Sequence, residues 1–490
     1  MIRAHRDAWL VVCLVLSPAV WLSAAKDVAA GAANAQRPNI VFILTDDQAP
    51  WALAHSGYAQ AKTPHIDRIC REGAYFVNAF CSTPVCSPSR ASIMTSRFGS
   101  ELGITEWINP RTESTLGLDP KTPTWPKLLA EAGYRNGLVG KWHLGTEDRF
   151  HPTQFGYQYF MGFRAGGTKP KDPVLEVDGH DKQLSGFVVD LLTDSAIEYV
   201  NHHKDEPFVL SLHFREPHRP WLPIADEDAA LFADLDPSIP NPDYPKLDVA
   251  KVKAMTRDYL ASVESVDRNV GRLMHELDRL DLTKNTVVIF SSDHGYNMGH
   301  HGIWHKGNGH WILTENPPGT ANVPAGERPN MYDTSVRVPL AVRWPGVVAP
   351  GTVVTQTVSH LDWFPTLLEV AGVEAPQGVT LRGRSIVPLL KGTAGEWNND
   401  FYAEYSTHDN SRTHMRMYRT PEWKLVRDFL NPGRDELYHL KADPDETTNL
   451  IASEDPQVAA VKADLDTKLR ARMQATDDKA LTGTTKLETK

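Results

Sequence analysis

Asp46-Asp47 follows directly on Asn39–Thr45, the run NIVFILT, and Asp293-His294-Gly295 follows TVVIF and two serines. Apolar runs without alternation read as strands buried on both faces of a parallel sheet. In such sheets ligands collect at the carboxyl ends of the strands. Carboxylates brought to one point repel one another and raise each other's pKa. A divalent cation removes that cost. Hard oxygen ligands suit Ca²⁺ or Mg²⁺, and Ca²⁺ tolerates the more irregular shell. Taken alone, an Asp-Asp pair is as often a turn or a helix cap. A further acid at a second strand end turns the balance towards a metal site built on Asp46, Asp47 and Asp293.

Lys141 and His143 stand two apart in the glycine-flanked segment GKWHLG, residues 140–145, after the strand-like GLV at 137–139. Together they can face an anion at a strand end, although in isolation the segment reads as a turn. His218 follows the run FVLSLHF, between Pro217 and Pro220, which fix the backbone around one imidazole. In isolation it is a surface loop histidine. Lys306 lies among His294, His300, His301, His305 and His310. Zinc is disfavoured there, because the remaining cysteines are distant in sequence and the run is glycine-rich and loop-like.

These residues need elements to position them. Strands are expected at Asn39–Thr45, 208–214, 286–290 and 338–343, and helices at 63–72, 123–132, Val188–His203, 256–280 and 361–371. Such alternation argues an α/β fold, a large doubly wound, mostly parallel sheet flanked by helices. From about residue 400 the texture changes to short strands at 401–405, 415–420, 423–429 and 436–440, then a helix at 456–473: a small antiparallel sheet with one helix. The domain reading is a leader at 1–35 cleaved near 25 or 35, a catalytic α/β domain at 36–395, a smaller α+β subdomain at 396–475 and a polar, frayed tail at 476–490. The proline-rich loops at 237–246 and 316–329 are long enough to be functional or mobile.

The chain has 490 residues, 41% apolar content and a formal charge of −10. This supports a large core and offers no global basic face for nucleic acid. The leader has Arg3 and Arg6 before an apolar stretch shorter than the ~20 residues of a membrane span, so an exported protein without a stable span is expected. The absence of any Asn-x-Ser/Thr sequon points to a bacterial, periplasmic or secreted protein. Cys13 leaves with the leader. Cys70, Cys81 and Cys86 then remain, an odd number that requires explanation outside the cytoplasm.

The run Pro84-Val85-Cys86-Ser87-Pro88-Ser89-Arg90 resembles the signature of the type I sulfatases. Asp46-Asp47, the 140–145 segment, Pro217-His218, Asp293-His294-Gly295, Met331 to Pro339 and Glu436-Leu437-Tyr438 occur in that family's order. The resemblance thus covers nearly the whole mature chain. It implies that a maturation enzyme converts Cys86 to formylglycine (3-oxoalanine), an aldehyde whose hydrate attacks the sulfur of a sulfate monoester. Asp46, Asp47, residue 86, Asp293 and His294 are then the metal ligands, and Lys141, His218 and Lys306 bind sulfate. Arg90 holds the hydrate in place, His218 or Lys306 protonates the leaving alcohol, and His143 takes the proton of the second hydroxyl to expel sulfate. Conversion of Cys86 leaves Cys70 and Cys81 as a candidate pair. Ser96 departs from the family's glycine, Asn136 from its Ser or Thr, and His294 from the Asn of many members; an insertion at 307–330 follows Lys306.

The implied substrate is a sulfated carbohydrate rather than a small aryl sulfate. Trp107, Trp221, Trp304 and Trp311 are candidates for sugar stacking, and Arg412, His414, Arg416 and Arg419 for contact with a polyanion. The rivals are a phosphomonoester or phosphonate hydrolase of the same superfamily, with identical machinery, and a non-catalytic binder of sulfated glycans, which would have no use for Cys86.

Overall fold

The computed structural model describes residues 37–482; the leader and the last residues of the tail lie outside the described residues. A ten-stranded sheet runs in the order Thr352–Val354, Ala74–Phe76, Leu340–Arg343, Thr286–Ser292, Asn39–Thr45, Phe208–His213, Arg135–Lys141, Tyr159–Phe163, Val174–Val177, His180–Gln183. Its centre, from Thr286–Ser292 to Tyr159–Phe163, is parallel. Leu340–Arg343 is antiparallel to both neighbours, and the far edge is an antiparallel hairpin.

Pleating sends alternate residues to opposite faces. Ile40, Phe42 and Leu44 join one core with Val209, Ile289, Trp125 and Phe364, whereas Val41 and Ile43 join the other with Leu210, Val288, Val266 and Leu273. Both faces are covered, which is why these strands read as unbroken apolar runs. Among the helices, Val249–Arg279 starts earlier than the sequence suggests, because the Asp248 side chain caps it through Lys251 N. The helices expected at 123–132 and 361–371 are Trp125–Glu131 and, after a 3₁₀ turn, Trp363–Ala371.

The pairing of Cys70 with Cys81 is corrected. Both are free and buried, and they sit in the cores on opposite faces of the sheet. The loop at 316–329 is also tied down: Glu327–Pro329 forms a small sheet with Ile303–Trp304 and Asn308–Trp311. Ser96 takes the left-handed conformation with φ 56°, and its hydroxyl accepts from the backbone N–H of Arg382 at 3.1 Å and Gly383 at 2.9 Å. Asn136 donates to the carbonyls of Pro126 at 2.6 Å and Gly156 at 3.1 Å. Ser96 is therefore satisfied structurally, and Asn136 is satisfied through Nδ2 while its Oδ1 is buried without a partner.

The C-terminal part is an antiparallel sheet of Phe401–Thr407, Thr413–Arg419, Lys424–Asp428 and Glu436–Tyr438, with helix Pro456–Ala475 laid on it through Leu465, Leu469 and Met473. Of the expected basic group, Arg416 is buried on Asp478, with Nη2 to Oδ1 at 2.9 Å, Arg419 is paired with Asp333 at 2.9 Å, and His414 is buried. It is not a polyanion surface; only Arg412 is exposed. Asp478 also shows that the chain just past Ala475 is held rather than frayed.

This sheet is joined to the catalytic half by charge. Asp333 meets Arg419 and, at 3.0 Å, the buried Lys424, and its N–H donates to Glu446 Oε2 at 2.6 Å. Against the burial that would raise it, Arg419 and Lys424 hold the Asp333 carboxyl far below its usual range. Removing one member of such a buried pair strands the other. Asp333→Asn is expected to cost about 3–5 kcal/mol in urea unfolding; a loss below about 1 kcal/mol, the level of a surface ion pair, would refute the assignment.

Candidate active site

Parallel register brings the two acidic segments together. Thr45 is opposite Ser292, so Asp46-Asp47 and Asp293-His294 leave the sheet side by side. Asp47 adopts φ 71°, its N–H donates to Asp293 Oδ1 at 3.2 Å, and its carbonyl accepts from Tyr259 Oη at 2.7 Å. Lys141 ends its own strand and places Nζ 2.5 Å from Asp46 Oδ2. Just before it, a β-carbon on Gly140 would lie 1.9 Å from the carbonyl oxygen of His213, so the close strand approach requires glycine.

Cys86 is the first residue of the helix Cys86–Thr95, every residue of which is buried. Residues four apart share a helix face. Arg90 therefore reaches the same site, with Nη2 2.9 Å and Nε 3.0 Å from Asp293 Oδ2. Pro88 is in the first turn, where its missing N–H costs nothing. Sγ of Cys86 lies 2.9 Å from Lys306 Nζ, 3.4 Å from His294 Nε2 and 3.5 Å from Asp46 Oδ1. Lys306 also meets Asp47 Oδ1 at 2.7 Å. The 307–330 insertion does not displace it, since Asn330 Nδ2 donates to the carbonyls of Lys306 and Gly307 at 3.1 and 3.2 Å.

The electrostatics follow from this crowding. Burial, with Asp46 and Asp293 nearby, lifts the Asp47 carboxyl to about 7 despite Lys306. Burial would raise Asp46 too, but Lys141, with His218, Lys306 and Arg90, holds it well below the usual range. Burial pushes the Cys86 thiol up to about 12, assisted by Asp46, so as cysteine it is a neutral and unreactive group.

Donor atoms of Asp46, Asp47, Cys86 and His294 lie within 4.8 Å of one another. Asp47 Oδ2 is buried without a hydrogen-bond partner. His294 donates Nδ1–H to the carbonyl of Gly295 at 3.0 Å, leaving Nε2 as the lone pair facing the acids, and burial depresses its pKa to about 4. This donor set, rich in carboxylate oxygen with an orphaned lone pair, fits a cation. Asp293 stands alongside, its Oδ1 3.3 Å from His294 Nε2 and its Oδ2 taken by Arg90. Among the described residues the other histidines of 300–310 form no such group.

His143 is buried with φ 58°. Its Nε2 lies 3.1 Å from the carbonyl of Ile108, which fixes the proton there and leaves the Nδ1 lone pair buried and unpartnered. Burial, with Lys141 and Arg90 beside it, keeps the ring neutral. Gly166 packs against this ring: a β-carbon there would sit 2.7 Å from Nε2. His218 is 24% exposed, with Nε2 3.9 Å from Asp47 Oδ2. Its ring faces the opening, and burial among cations keeps it neutral too.

Cys86, His143, His218 and Lys306 line the inner part of a cavity of about 810 Å³. Trp107 lines it as well; Trp221 and Trp304 line an adjoining cleft, and Trp311 a separate one. Sequence reasoning missed several contributors. Ser89 donates to the Asp293 carbonyl at 2.5 Å and meets His360 Nδ1 at 2.9 Å. The turn Asp409-Asn410 brings the C-terminal sheet to the cavity wall, where Glu106 Oε2 accepts from the N–H groups of His408 and Asp409 at 2.6 and 3.0 Å. Ser89 sits inside the sulfatase-like run and could have been found. His360, Gly166 and Asp409 carry no local signal.

Residues 38–373 match the family model described as Sulfatase, and residues 327–475 match the one described as N-sulphoglucosamine sulphohydrolase, C-terminal. An N-acetylglucosamine-6-O-sulfatase of Bacteroides thetaiotaomicron is 29% identical over 497 aligned residues, covering 85% of this chain and 83% of the relative. The steryl-sulfatase of Mus musculus is 28% identical, covering 79% and 71%. A solved protein in complex with its substrate D-glucosamine-2-N,6-O-disulfate superposes with a TM-score of 0.77 at 25% identity, covering 91% of this chain and 99% of that one. The fold and these comparisons together show that the chain belongs to the formylglycine-dependent sulfatase family and is a sulfuric ester hydrolase.

Proposed function

We propose that the protein is an exported, periplasmic or secreted sulfatase that removes sulfate from a carbohydrate after a maturation enzyme converts Cys86 to formylglycine. The observation that carries this reading is the placement of side chain 86. It is the first helical residue at the floor of the cavity, 2.9 Å from Lys306 and within 3.5 Å of Asp46 and His294. As a thiol it is inert there, whereas an aldehyde hydrate offers hydroxyls to the same neighbours. The named substrates of the similar proteins, N-acetylglucosamine 6-O-sulfate and D-glucosamine-2-N,6-O-disulfate, support a sulfated sugar.

Asp46, Asp47, Asp293 and His294 would hold a divalent cation, Ca²⁺ or Mg²⁺. When bound, it supplies Lewis-acid charge for the sulfate oxygens and acidity for the nucleophile. Three carboxylates already balance Lys141, Lys306 and Arg90, so a dication leaves the pocket net positive before the anion enters. Lys141 and Lys306 hold the sulfate oxygens, and His218 at the opening orients the ester oxygen. Arg90 anchors Asp293. His143 Nδ1 takes the proton that lets the sulfated residue 86 collapse back to the aldehyde and release sulfate.

The tryptic peptide containing residue 86, from protein co-produced with a formylglycine-generating enzyme, is expected to show the aldehyde by mass, and Cys86→Ala to abolish aryl sulfatase turnover. Full activity with an unmodified thiol would overturn the mechanism. Chelation should abolish turnover of the folded enzyme and Ca²⁺ should restore it. His143→Ala should lower kcat by roughly 10²–10⁴-fold and let sulfate accumulate covalently on residue 86; loss of activity without a sulfated intermediate would remove His143 from that step. Gly166→Ala, which pushes on His143, should lower kcat by roughly 10²-fold with an unchanged melting temperature.

A further inference from the structure

We infer that the substrate carries a second anionic group besides the sulfate being removed, and that Arg111, Lys169 and Arg219 at the cavity mouth bind it. This rests on the sulfatase reading above. All three side chains are exposed and line the cavity that has Cys86 at its floor. None makes an ion pair among the described residues. Arg111 is bonded only through its backbone N–H, to Asn109 Oδ1 at 3.1 Å. Arg219 rests over the Trp304 ring at 5.1 Å, and among the described residues Lys169 has no side-chain hydrogen-bond or ion-pair partner. Among the described residues Asp409 is the only acid lining the cavity.

That composition runs against the rest of the molecule. The chain carries a formal charge of −10, yet this cavity of about 810 Å³ is lined by three cations without ion pairs. The neighbouring cations that serve the fold are paired: Arg215, buried behind the rim, donates to the carbonyls of Thr168 and Pro220 at 2.9 and 2.7 Å. Like charges within a Debye length of ~8–10 Å repel, and an anion between them removes the repulsion.

Space and direction agree. About 810 Å³ exceeds what one sulfate group needs and lies in the ~300–1,000 Å³ range of sites for larger ligands. A second cleft of about 410 Å³ shares Arg219 and Pro220 with the first and adds Lys251 and Asp258, one cation and one acid. The open space therefore continues past Arg219, on the scale of a further sugar unit, while the excess of unpaired cations belongs to the first cavity. The chemistry recognised is an oligosaccharide anion, a sulfate or a carboxylate, on the same or the next sugar.

The test compares a multiply sulfated heparin-derived disaccharide, a disaccharide with one sulfate, and a uronate disaccharide with one sulfate. Affinities are measured by calorimetry on Cys86→Ala protein, which does not turn over. Relative to this parent, adding Arg111→Gln, Lys169→Gln and Arg219→Gln should weaken the multiply sulfated ligand by roughly tenfold or more and flatten its salt dependence. The singly charged ligand should change by less than about twofold, as should aryl sulfate kcat/KM in the matured enzyme. The uronate arm shows whether a carboxylate substitutes for the second sulfate. The double change Arg111→Gln with Lys169→Gln, which keeps Arg219 on Trp304, should give an intermediate loss. Equal affinity of the parent for singly and multiply charged ligands, or a preference that survives the triple change, overturns the inference. If the matured enzyme is inert on every sulfate ester while the preference and its loss remain, the anion site stands and the sulfatase reading falls.

Discussion

Everything at this site depends on keeping like charges together in a dry place. Asp46, Asp47 and Asp293 are fully buried, at the ends of two adjacent strands, because register leaves them no other place to go. At an effective dielectric near 20, two unit charges ~4 Å apart interact by about 4 kcal/mol. Three buried acids could not coexist without opposite charge. The protein supplies it from three unrelated elements: Lys141 from the strand beyond Phe208–His213, Arg90 from the helix and Lys306 from a loop. The elevated pKa of Asp47 and its orphaned oxygen mark where compensation is incomplete. That unpartnered oxygen is what a cation would meet, and the need for three compensating cations explains why the site is assembled from elements distant in sequence.

The same constraint explains the spacing of the sulfatase-like run. Residue 86, the proposed nucleophile, stands at the first position of its helix and faces the site from a terminus with positive dipole character. One turn later the arginine falls on the same face and is spent on Asp293. The proline between them occupies a first-turn position that donates no helical hydrogen bond. Because all ten residues of the helix are buried, small side chains are needed on every face: Ser87 accepts from Ile108 N–H at 3.0 Å, and Ser92 bonds Ser82 at 2.7 Å. Cys-x-Pro-x-Arg is therefore a packing pattern as much as a chemical one.

This accounts for what the sequence revealed and what it hid. Central strands such as Asn39–Thr45 and Thr286–Ser292 were legible because burial on both faces leaves an unmixed apolar run, and the acids behind them marked the site. Helix Cys86–Thr95 was not legible as a helix: with no exposed face it has no amphipathic period. The first turns of Val249–Arg279 were missed because the start is set by the side-chain cap at Asp248, which periodicity does not register. Edge strands such as His180–Gln183, exposed throughout, lack any apolar signature. The basic group at 412–419 misled because alternating charge on a strand looks alike whether it faces water or a buried carboxylate. Proximity in space, as for His360, Gly166 and Asp409, is set by tertiary packing and leaves no local trace.

The site therefore has two parts with different physical origins. The inner part is attached to strand ends and a buried helix, where one misplaced β-carbon, as at Gly140 or Gly166, would collide with backbone or with His143. The outer part comes from loops: residues 107–111, 167–170 and 219–220, and a hairpin turn of the C-terminal sheet carried to the cavity by Glu106. Loops tolerate change because few buried contacts depend on them. The buried acid and cation cluster is consequently locked to the sheet, while the proposed second-anion site rests on side chains such as Arg111 and Lys169, which form no ion pair among the described residues. The C-terminal sheet is bound at Asp333 by buried charge and presents only a turn to the cavity, so it joins the two parts: its anchoring belongs to stability, and its tip to recognition.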